Sequence, residues 1–323
     1  MYGRAAAPGA GTVLNALATG TGSAFALDVE TTATVELSPE ADDVTGRVAD
    51  EPAADTTLVE RCLRATVAAY GGRSPVLADA GVDVPADAEP TTLQVGGTVH
   101  TESEVPLAAG LKSSSAAANA TVLATLSALG LAEAVAPVEA CRLGVGAARE
   151  AGVTVTGAFD DASASMLGGV TLTDNDGDEL LAHDPPTALW DEADAGDEET
   201  ARDPPSALVW TPPERAYSAD ADVERCRRVA PVARTVASLA RAGRYAEAMT
   251  VNGLAFSAAL GFDPAPAVEA VPAAAAVSLS GTGPSVVAVG EAPALATVRE
   301  AWADRPGAVL ETRLRATGAT VTD

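Results

Sequence analysis

One short segment of the chain combines the residue types that bind phosphate. Gly110 and Lys112 stand just before the serines at 113–115, which open a run rich in alanine. A helix that begins at such serines leaves backbone N–H groups unpaired at the positive end of its dipole, where a phosphate group binds. Serine hydroxyls can bind Mg²⁺, and a lysine adds a mobile positive charge. The simpler alternative is an N-cap serine beside a surface lysine.

Lys112 is the only lysine in the 323 residues; the other 19 basic residues are arginines, against 45 Asp and Glu, which gives a net charge of -25. Lysine is ordinarily among the commonest residues. An acidic chain with so little lysine is typical of a protein that works in molar salt, where repulsion between like charges is screened. A mesophilic protein from a GC-rich gene would explain arginine in place of lysine, but not the excess of carboxylates.

The negative charge also excludes several classes of partner. Nucleic acids and anionic membrane surfaces both require clustered Lys and Arg, so we expect neither as a partner. No apolar run reaches the roughly 20 residues that span a bilayer, and the first residues do not form a secretory signal, so we expect a cytoplasmic protein. The three cysteines, Cys62, Cys141 and Cys226, lack C-x-x-C spacing and are predicted to be buried thiols.

A second pair of residues with chemical potential is Asp160 and Asp161, just before a small-residue helix. Adjacent carboxylates can supply the base that takes a proton from a hydroxyl group. Both could instead cap the helix that starts there.

Hydrophobic periodicity predicts the elements that position these residues. Alternation over 25–37 predicts a strand, and helical spacing over 58–70, with Asp55 and Thr56 as caps, predicts a helix that stops at Gly71. The pattern further predicts an extended stretch over 93–104 and helices over 113–130, 137–151 and near 160–167, with β-branched residues at 153–156 and a strand at 170–173.

The second half of the chain mixes the two element types as well. Residues 174–203 contain 12 acidic residues in 30, and Pro-Pro pairs lie nearby, so the interval 174–206 is predicted to be a solvated surface excursion. Later patterns predict a strand at 207–210, helices over 223–243 and 245–260, two strands joined by a glycine turn within 272–290, a helix over 292–303 and a strand over 309–316.

Strands and helices do not alternate strictly, which favours an α+β protein of two layers over a doubly wound sheet. We expect an N-terminal nucleotide-binding domain over 1–158 and a C-terminal domain over 159–323. A nicotinamide site is disfavoured, because the glycines near the N-terminus lack the third glycine of G-x-G-x-x-G. The only histidines, His100 and His183, are predicted to face solvent, which disfavours a Ser-His-Asp hydrolase.

Three motifs, in order, resemble those of the GHMP kinases. Residues 106–117 resemble the phosphate loop of that superfamily, residues 7–15 its opening motif, and residues 279–285 its closing glycine turn. Together they extend over nearly the whole chain. Within the superfamily, GLKSSSAAANA and VTVTGAFDDASAS are most similar to the archaeal type of shikimate kinase. The G-x-x-x-x-G-K-[ST] loop of the common shikimate kinase is absent, since Lys112 follows Leu111.

The resemblance implies a two-domain GHMP kinase fold, with a ribosomal protein S5 domain 2-like N-terminal domain and a ferredoxin-like α+β C-terminal domain. It also implies ATP and Mg²⁺ as cofactors, shikimate as the substrate in chorismate and aromatic amino-acid biosynthesis, and a homodimer as a possible assembly. Homoserine, pantoate or mevalonate is the alternative acceptor, and a non-catalytic nucleotide-binding member is a further one.

The same resemblance implies roles for individual residues. Asp160 fits best as the base, with Asp161 as the alternative and Lys112 as a catalytic cation. Ser114 is the expected Mg²⁺ ligand, with Glu150 as a partner. The expected nucleotide-binding residues are those of the loop and the helix start: Pro106, Leu107, Ala108, Ala109, Gly110, Leu111, Lys112, Ser113, Ser114, Ser115 and Ala116.

The acceptor is expected to bind at the opening and closing motifs. The candidates are Asn15, Asp28, Ser280, Gly281, Thr282 and Gly283. A substrate carboxylate requires an arginine, and the sequence does not identify which; Arg4 and Arg149 lie near motifs, but each could be a surface residue in a salt bridge.

Overall fold

The computed structural model describes residues 1–41, 43–49, 51–82, 95–154, 158–189, 204–216 and 221–322, and these residues contain two sheets. The first sheet has seven strands, which are β1 (Tyr2–Leu14), β2 (Thr21–Ser38), β3 (Val44–Val48), β4 (Gly96–Ser103), β5 (Val170–Asp174), β6 (Glu179–Asp184) and β11 (Thr320–Val321). The second has four, which are β7 (Ser206–Thr211), β8 (Ala276–Leu279), β9 (Val286–Gly290) and β10 (Ala308–Arg313).

Helices cover both sheets. Those that follow the strands of the first half are α1 (Thr57–Tyr70), α2 (Pro75–Asp79), α3 (Ser113–Ala128), α4 (Pro137–Ala151) and α5 (Phe159–Leu167). Those of the second half are α6 (Val223–Arg228), α7 (Ala230–Arg241), α8 (Tyr245–Leu260), α9 (Ala265–Ala270) and α10 (Ala292–Ala303). This arrangement is the expected α+β architecture.

The long strand β2 organises the first sheet. Its whole length pairs antiparallel with β1, its first residues pair with β5, and its last residues pair with β4. The sheet order is β11-β1-β2-β4-β3, with β5 and β6 joined to the start of β2, and only β3 and β4 run parallel. One strand therefore connects the region around α5 with the region that leads into α3.

Small residues bring α3 close to β1. A Cβ on Gly3 would lie 2.1 Å from the carbonyl oxygen of Ala124, so β1 and α3 touch backbone to backbone. Ala120, Ala124 and Ala128 of α3 are buried. Dense packing of this kind leaves little room for the helix to shift, and it fixes the position of the N-terminus of α3.

The second sheet is antiparallel with the order β10-β7-β9-β8, the order of a ferredoxin-like sheet. One core cluster around Trp302 lies between this sheet and α9 and α10. Another cluster joins the two sheets, since Phe25 and Leu27 of β2 belong to the same cluster as Val209 and Phe256. The two layers thus share a continuous apolar core.

Two expectations about the elements are corrected. The helix predicted over 223–243 is two helices, because Pro231 in the first turn of α7 cannot continue the hydrogen-bond ladder of α6. The interval 174–206 is not wholly a surface excursion: β6 pairs with β5, and Leu189 is buried. Residues 190–203 lie outside the described residues, as do the predicted strand residues 93–94 and 155–156.

The predicted domain boundary between residues 158 and 159 does not coincide with the division between the sheets. Strands β5, β6 and β11 all belong to the first sheet, and Phe159 and Met166 of α5 pack in its core. The chain leaves the first sheet between β6 and β7 and returns to it with its last strand. Strands β1, β3, β6 and β11 and the short helices α2 and α9 were not predicted.

Candidate functional site

A cavity of about 700 Å³ lies where the motifs of the sequence meet. It is bounded by the turn after β1, the loop between β4 and α3, the first turn of α3, the end of α4, the start of α5, the connection after β7 and the turn between β8 and β9. Both sheets therefore contribute to one cavity of the size that holds small-molecule ligands.

The loop from β4 to α3 has an unusual backbone. Ala108, Gly110 and Lys112 all have φ in the left-handed region, at 53°, 78° and 64°. For alanine and lysine this conformation costs about 1–3 kcal/mol each, a cost that surrounding contacts must offset. One such contact comes from Ala10 of β1, whose N–H donates to the carbonyl of Leu111 at 3.1 Å.

The turn between β8 and β9 contacts the other side of this loop. Ser280 Oγ donates to the carbonyl of Gly110 at 2.8 Å, and a Cβ on Gly110 would lie 2.3 Å from the carbonyl oxygen of Ser280. Only glycine allows that approach with a positive φ. The phosphate loop and the closing turn, distant in the sequence, are thus one rigid unit.

The N-terminus of α3 opens into the cavity. Lys112 is its N-cap residue and makes no side-chain capping hydrogen bond. The side chains of Ser113, Ser114 and Ser115 line the cavity. Unpaired N–H groups in a first helical turn, with hydroxyls around them, form an anion site that favours phosphate.

Lys112 makes an ion pair with Asp161 in the first turn of α5. Its Nζ lies 2.8 Å from Oδ1 of Asp161, and the two side chains are 6% and 16% exposed. Among the described residues, Asp161 Oδ1 has no donor in hydrogen-bond geometry. Asp161 is therefore a partly buried carboxylate whose Oδ1 is enclosed beside a neighbouring cation.

Asp160 has a different environment from its neighbour. Its Oδ1 accepts a hydrogen bond from Asn175 Nδ2 at 2.7 Å, and a Cβ on Gly22 would lie 2.5 Å from its Oδ2. Burial raises the pKa of Asp160 to about 7, and the charge of Asp161 adds to the rise, while Lys112 and the hydrogen bond from Asn175 act in the opposite direction. The two adjacent carboxyls thus differ in their contacts.

Asn15 joins the beginning of the chain to the closing turn. Its Nδ2 donates to the carbonyl of Gly281 at 2.8 Å, and its Oδ1 accepts from the N–H of Leu17 at 2.9 Å. Thr12 Oγ1 accepts from the N–H of Gly281 at 2.8 Å. The Oδ1 and Nδ2 atoms of Asn15 each make a hydrogen bond within the protein, so this side chain holds the closing turn in place.

The structure brings most of the predicted site residues to the cavity. Those that line it are Asn15, Leu107, Ala108, Gly110, Lys112, Ser113, Ser114, Ser115, Asp160, Asp161, Gly281 and Thr282. The remaining loop and turn residues lie behind this surface and support it; they are Pro106, Ala109, Leu111, Ala116, Ser280 and Gly283. Ala109, Leu111 and Ala116 are buried in the core that joins the two sheets.

Two predicted ligands lie elsewhere, which corrects their expected roles. Glu150 is on the outer side of α4, where its carboxylate is 70% exposed and pairs with Arg61 at 3.3 Å. Asp28 is 62% exposed and lies 3.8 Å from Arg315. Glu150 and Asp28 were predicted because both lie close to motifs along the chain. The periodicity of the helix and of the strand, however, places their side chains on outer faces.

The two candidate arginines also lie outside the cavity. Arg4 is 3.9 Å from Glu102 on the first sheet, and Arg149 makes two hydrogen bonds of 2.6 Å to Asp178. His183 is exposed, as expected, and its Nε2 lies 3.0 Å from the carbonyl oxygen of Gly168. The three cysteines are free and buried, as predicted.

Sequence reasoning missed several residues of the cavity and its support. Asn175 holds Asp160 from the turn after β5, and Arg215 lines the cavity from the connection after β7. Glu51 and Asp55 line it from the loop before α1. No spacing pattern marks these positions, although an arginine was expected somewhere in the site.

The oxygen donors of the cavity suit a magnesium ion that is bound partly through phosphate. The described residues contain no group of three His, Cys, Asp or Glu side chains placed to hold a metal ion by themselves. Mg²⁺ commonly takes only one or two protein oxygens and completes its shell with water and substrate phosphates. The Ser114 hydroxyl and the Asp161 carboxylate, which both line the cavity, are donors of this hard oxygen type.

Comparison with known proteins agrees with this site. Residues 58–169 match the family described as GHMP kinases N terminal domain. A protein named shikimate kinase from Halobacterium salinarum is 57% identical over 322 residues, with 100% of both chains covered, and one from Methanosarcina mazei is 42% identical, with 99% of this chain and 96% of the relative covered.

The fold likewise agrees with that of solved kinases. The crystal structure of homoserine kinase from Cytophaga hutchinsonii superposes with a TM-score of 0.66 at 16% identity, and the match covers 99% of this chain and 97% of that one. At this identity the likeness concerns the fold alone, whereas the full-length relatives define the family. This chain therefore belongs to the GHMP kinases, in the family formed by these archaeal relatives.

Proposed function

We propose that this chain transfers the γ-phosphoryl group of ATP to the 3-hydroxyl of shikimate and releases shikimate 3-phosphate and ADP. The observation that carries the proposal is the Lys112–Asp161 ion pair of 2.8 Å at the open N-terminus of α3. It combines an anion site for the nucleotide with a carboxylate for the acceptor hydroxyl. The name of the full-length relatives supports shikimate as the acceptor.

The nucleotide phosphates are proposed to bind at the first turn of α3. The backbone N–H groups there and the hydroxyls at 113–115 face the cavity, and the left-handed residues Ala108 and Gly110 shape the loop before them. Ser114 is the proposed protein ligand of Mg²⁺, which neutralises phosphate charge when bound. Glu150 has no part in this site.

Asp161 is proposed as the base that takes the proton of the acceptor hydroxyl. Asp161 lines the cavity at the start of α5, and the ammonium of Lys112 lies 2.8 Å from its Oδ1. Asp160 accepts from Asn175 and favours its protonated form below about pH 7, which suits a supporting role better. In the reaction the hydroxyl oxygen bonds to the γ-phosphorus, the bond from that phosphorus to the β–γ bridging oxygen breaks, and the hydroxyl proton goes to Asp161.

Further parts of the proposal concern the setting of the enzyme. We place it in the cytoplasm of a salt-adapted cell, as a step of aromatic amino-acid biosynthesis, with a homodimer as its assembly. Its charge of -25 with a single lysine supports the salt adaptation. No helix among the described residues is long and apolar enough to cross a membrane.

The function is tested by ADP release with Mg²⁺ and ATP in molar KCl, with shikimate, homoserine, pantoate and mevalonate presented in parallel. We expect turnover with shikimate and a product whose phosphorus is coupled to the proton at carbon 3 in NMR spectra. Turnover of another alcohol with refusal of shikimate would reject the acceptor. Stabilisation by ATP without ADP release for every acceptor would indicate a non-catalytic member.

A further inference from the structure

We propose that Arg215 binds the carboxylate of the acceptor and makes this site selective for alcohols that carry a carboxylate. This inference rests on the proposed function, because it assigns a residue to the acceptor of that reaction. Arg215 lies in the connection that leaves β7, in its described part 212–216. Arg4 and Arg149, the arginines that the sequence suggested, lie outside the cavity in ion pairs of their own.

Arg215 is one of two cationic side chains among the described residues that line the cavity, and the other is Lys112. The ammonium of Lys112 already pairs with Asp161. No described carboxylate forms an ion pair with Arg215, whose side chain is exposed and lines the cavity. Its guanidinium is therefore available to an anionic ligand.

The charge of the site makes such a cation necessary. Glu51, Asp55, Asp160 and Asp161 also line the cavity, and the whole chain carries a net charge of -25. Beside these carboxylates, within the few ångströms over which charges still interact in molar salt, an acceptor carboxylate would be repelled unless a cation met it locally. An arginine does this well, because its planar fork donates two parallel hydrogen bonds to a carboxylate.

A backbone hydrogen bond holds the segment that carries Arg215. The N–H of Ala216, its neighbour, donates to the carbonyl of Ala108 in the phosphate loop at 3.3 Å. The segment that carries Arg215 is thus attached to the loop, so the backbone of Arg215 lies at a fixed place beside the proposed nucleotide site. The nucleotide phosphates are proposed to bind at the N-terminus of α3 and at Lys112. Arg215 is then the cation that remains for the second anion, the acceptor carboxylate.

The test compares wild type, Arg215→Ala and Arg215→Lys with two acceptors, shikimate and its carboxamide, in molar KCl. Loss of a hydrogen bond to a charged group corresponds to about a 10- to 150-fold change. We expect Arg215→Ala to lower kcat/KM for shikimate by that factor, mainly through KM. The same variant should leave kcat/KM for the carboxamide and KM for ATP within about twofold, and Arg215→Lys should fall between. Wild type should therefore discriminate between the two acceptors, and Arg215→Ala should not.

Arg313→Ala is the matched control, since Arg313 is an exposed arginine at the end of β10 and does not line the cavity. It should behave as wild type with both acceptors. Thermal unfolding in the same buffer shows whether Arg215→Ala is folded. A raised KM for ATP, with the discrimination between acid and amide intact, would overturn the inference and make Arg215 a nucleotide ligand.

The inference and the proposed function can fail separately. If the wild-type protein does not phosphorylate shikimate but does phosphorylate homoserine, pantoate or mevalonate, the proposed acceptor is wrong. The role of Arg215 is then decided by the same comparison between that acid and its amide. Turnover restricted to an uncharged alcohol such as galactose would reject both. Turnover of shikimate with undiminished discrimination in Arg215→Ala would reject the inference alone.

Discussion

The ammonium nitrogen of Lys112 lies 2.8 Å from Oδ1 of Asp161, so the only lysine of the chain, at the start of α3, is paired with a carboxylate at the start of α5. Two helix N-termini thus face one another across an ion pair. The pair holds the lysine beside the proposed phosphate site, within the cavity that both residues line.

The first prediction separates the two adjacent aspartates. Asp161→Asn removes the proposed base and should lower kcat by about 10²- to 10⁴-fold with nucleotide affinity retained, because general-base contributions are of this size. Asp160→Asn should have a smaller effect, since Asn175 already binds its Oδ1. Single-turnover kinetics and nucleotide titration measure both. Asp304→Asn, an exposed change after α10, is the control, and a larger loss in Asp160→Asn would return the role of base to Asp160.

A second prediction concerns the glycine beside the lysine. A Cβ on Gly281 would lie 2.6 Å from Lys112 Nζ, and the residue has φ +58°. Gly281→Ala should therefore push the ammonium away from Asp161, lower kcat strongly and lower the free energy of unfolding by about 1–2 kcal/mol. Gly243 has φ +76° and nothing within 4 Å of an added Cβ. Gly243→Ala should lose similar stability but keep its kcat; equal kcat values in both variants would contradict the prediction.

A third prediction follows from the raised pKa of Asp160. Because the ordinary pKa of an aspartate is 3.8, whereas burial raises the pKa of Asp160 to about 7 in the folded protein, the folded state binds the proton more tightly. Stability is then lost as the pH rises from about 4 to 7. Asp160→Asn has no such proton, so it should gain stability over wild type across this interval, by at most about 4 kcal/mol at pH 8.

Urea unfolding of wild type and Asp160→Asn at pH 5, 6, 7 and 8, at constant KCl, measures this difference. A difference in stability that does not change with pH would show that Asp160 does not titrate in this interval.

A fourth prediction concerns salt. With 45 acidic and 20 basic residues, repulsion within the chain should weaken as the Debye length falls from about 10 Å at 0.1 M to about 3 Å at 1 M salt. The melting temperature should rise steeply with KCl and approach a plateau near molar salt. Equal melting temperatures in 0.1 M and 2 M KCl would contradict a dependence of stability on screening.

Much of the site could be read from local sequence. The segment 106–117 predicts the loop and helix start, because glycine, serine and alanine have strong local preferences at turns, caps and buried helices. Helices α4 and α10 were predicted within their observed bounds, since proline at the start and apolar periodicity are local features as well. Strand β1 was missed, because its run of small residues shows no alternation when both faces are buried.

Short segments of the sequence were enough to predict the family, the candidate phosphate loop and the pair of candidate aspartates, since each depends on residues that are neighbours along the chain. Only the tertiary structure decided that Lys112 meets Asp161, that Asn175 holds Asp160, and that Arg215 rather than Arg4 or Arg149 lines the cavity. The reason is physical: charge pairing and burial depend on distances between elements, and those distances follow from how the two sheets pack around a shared core.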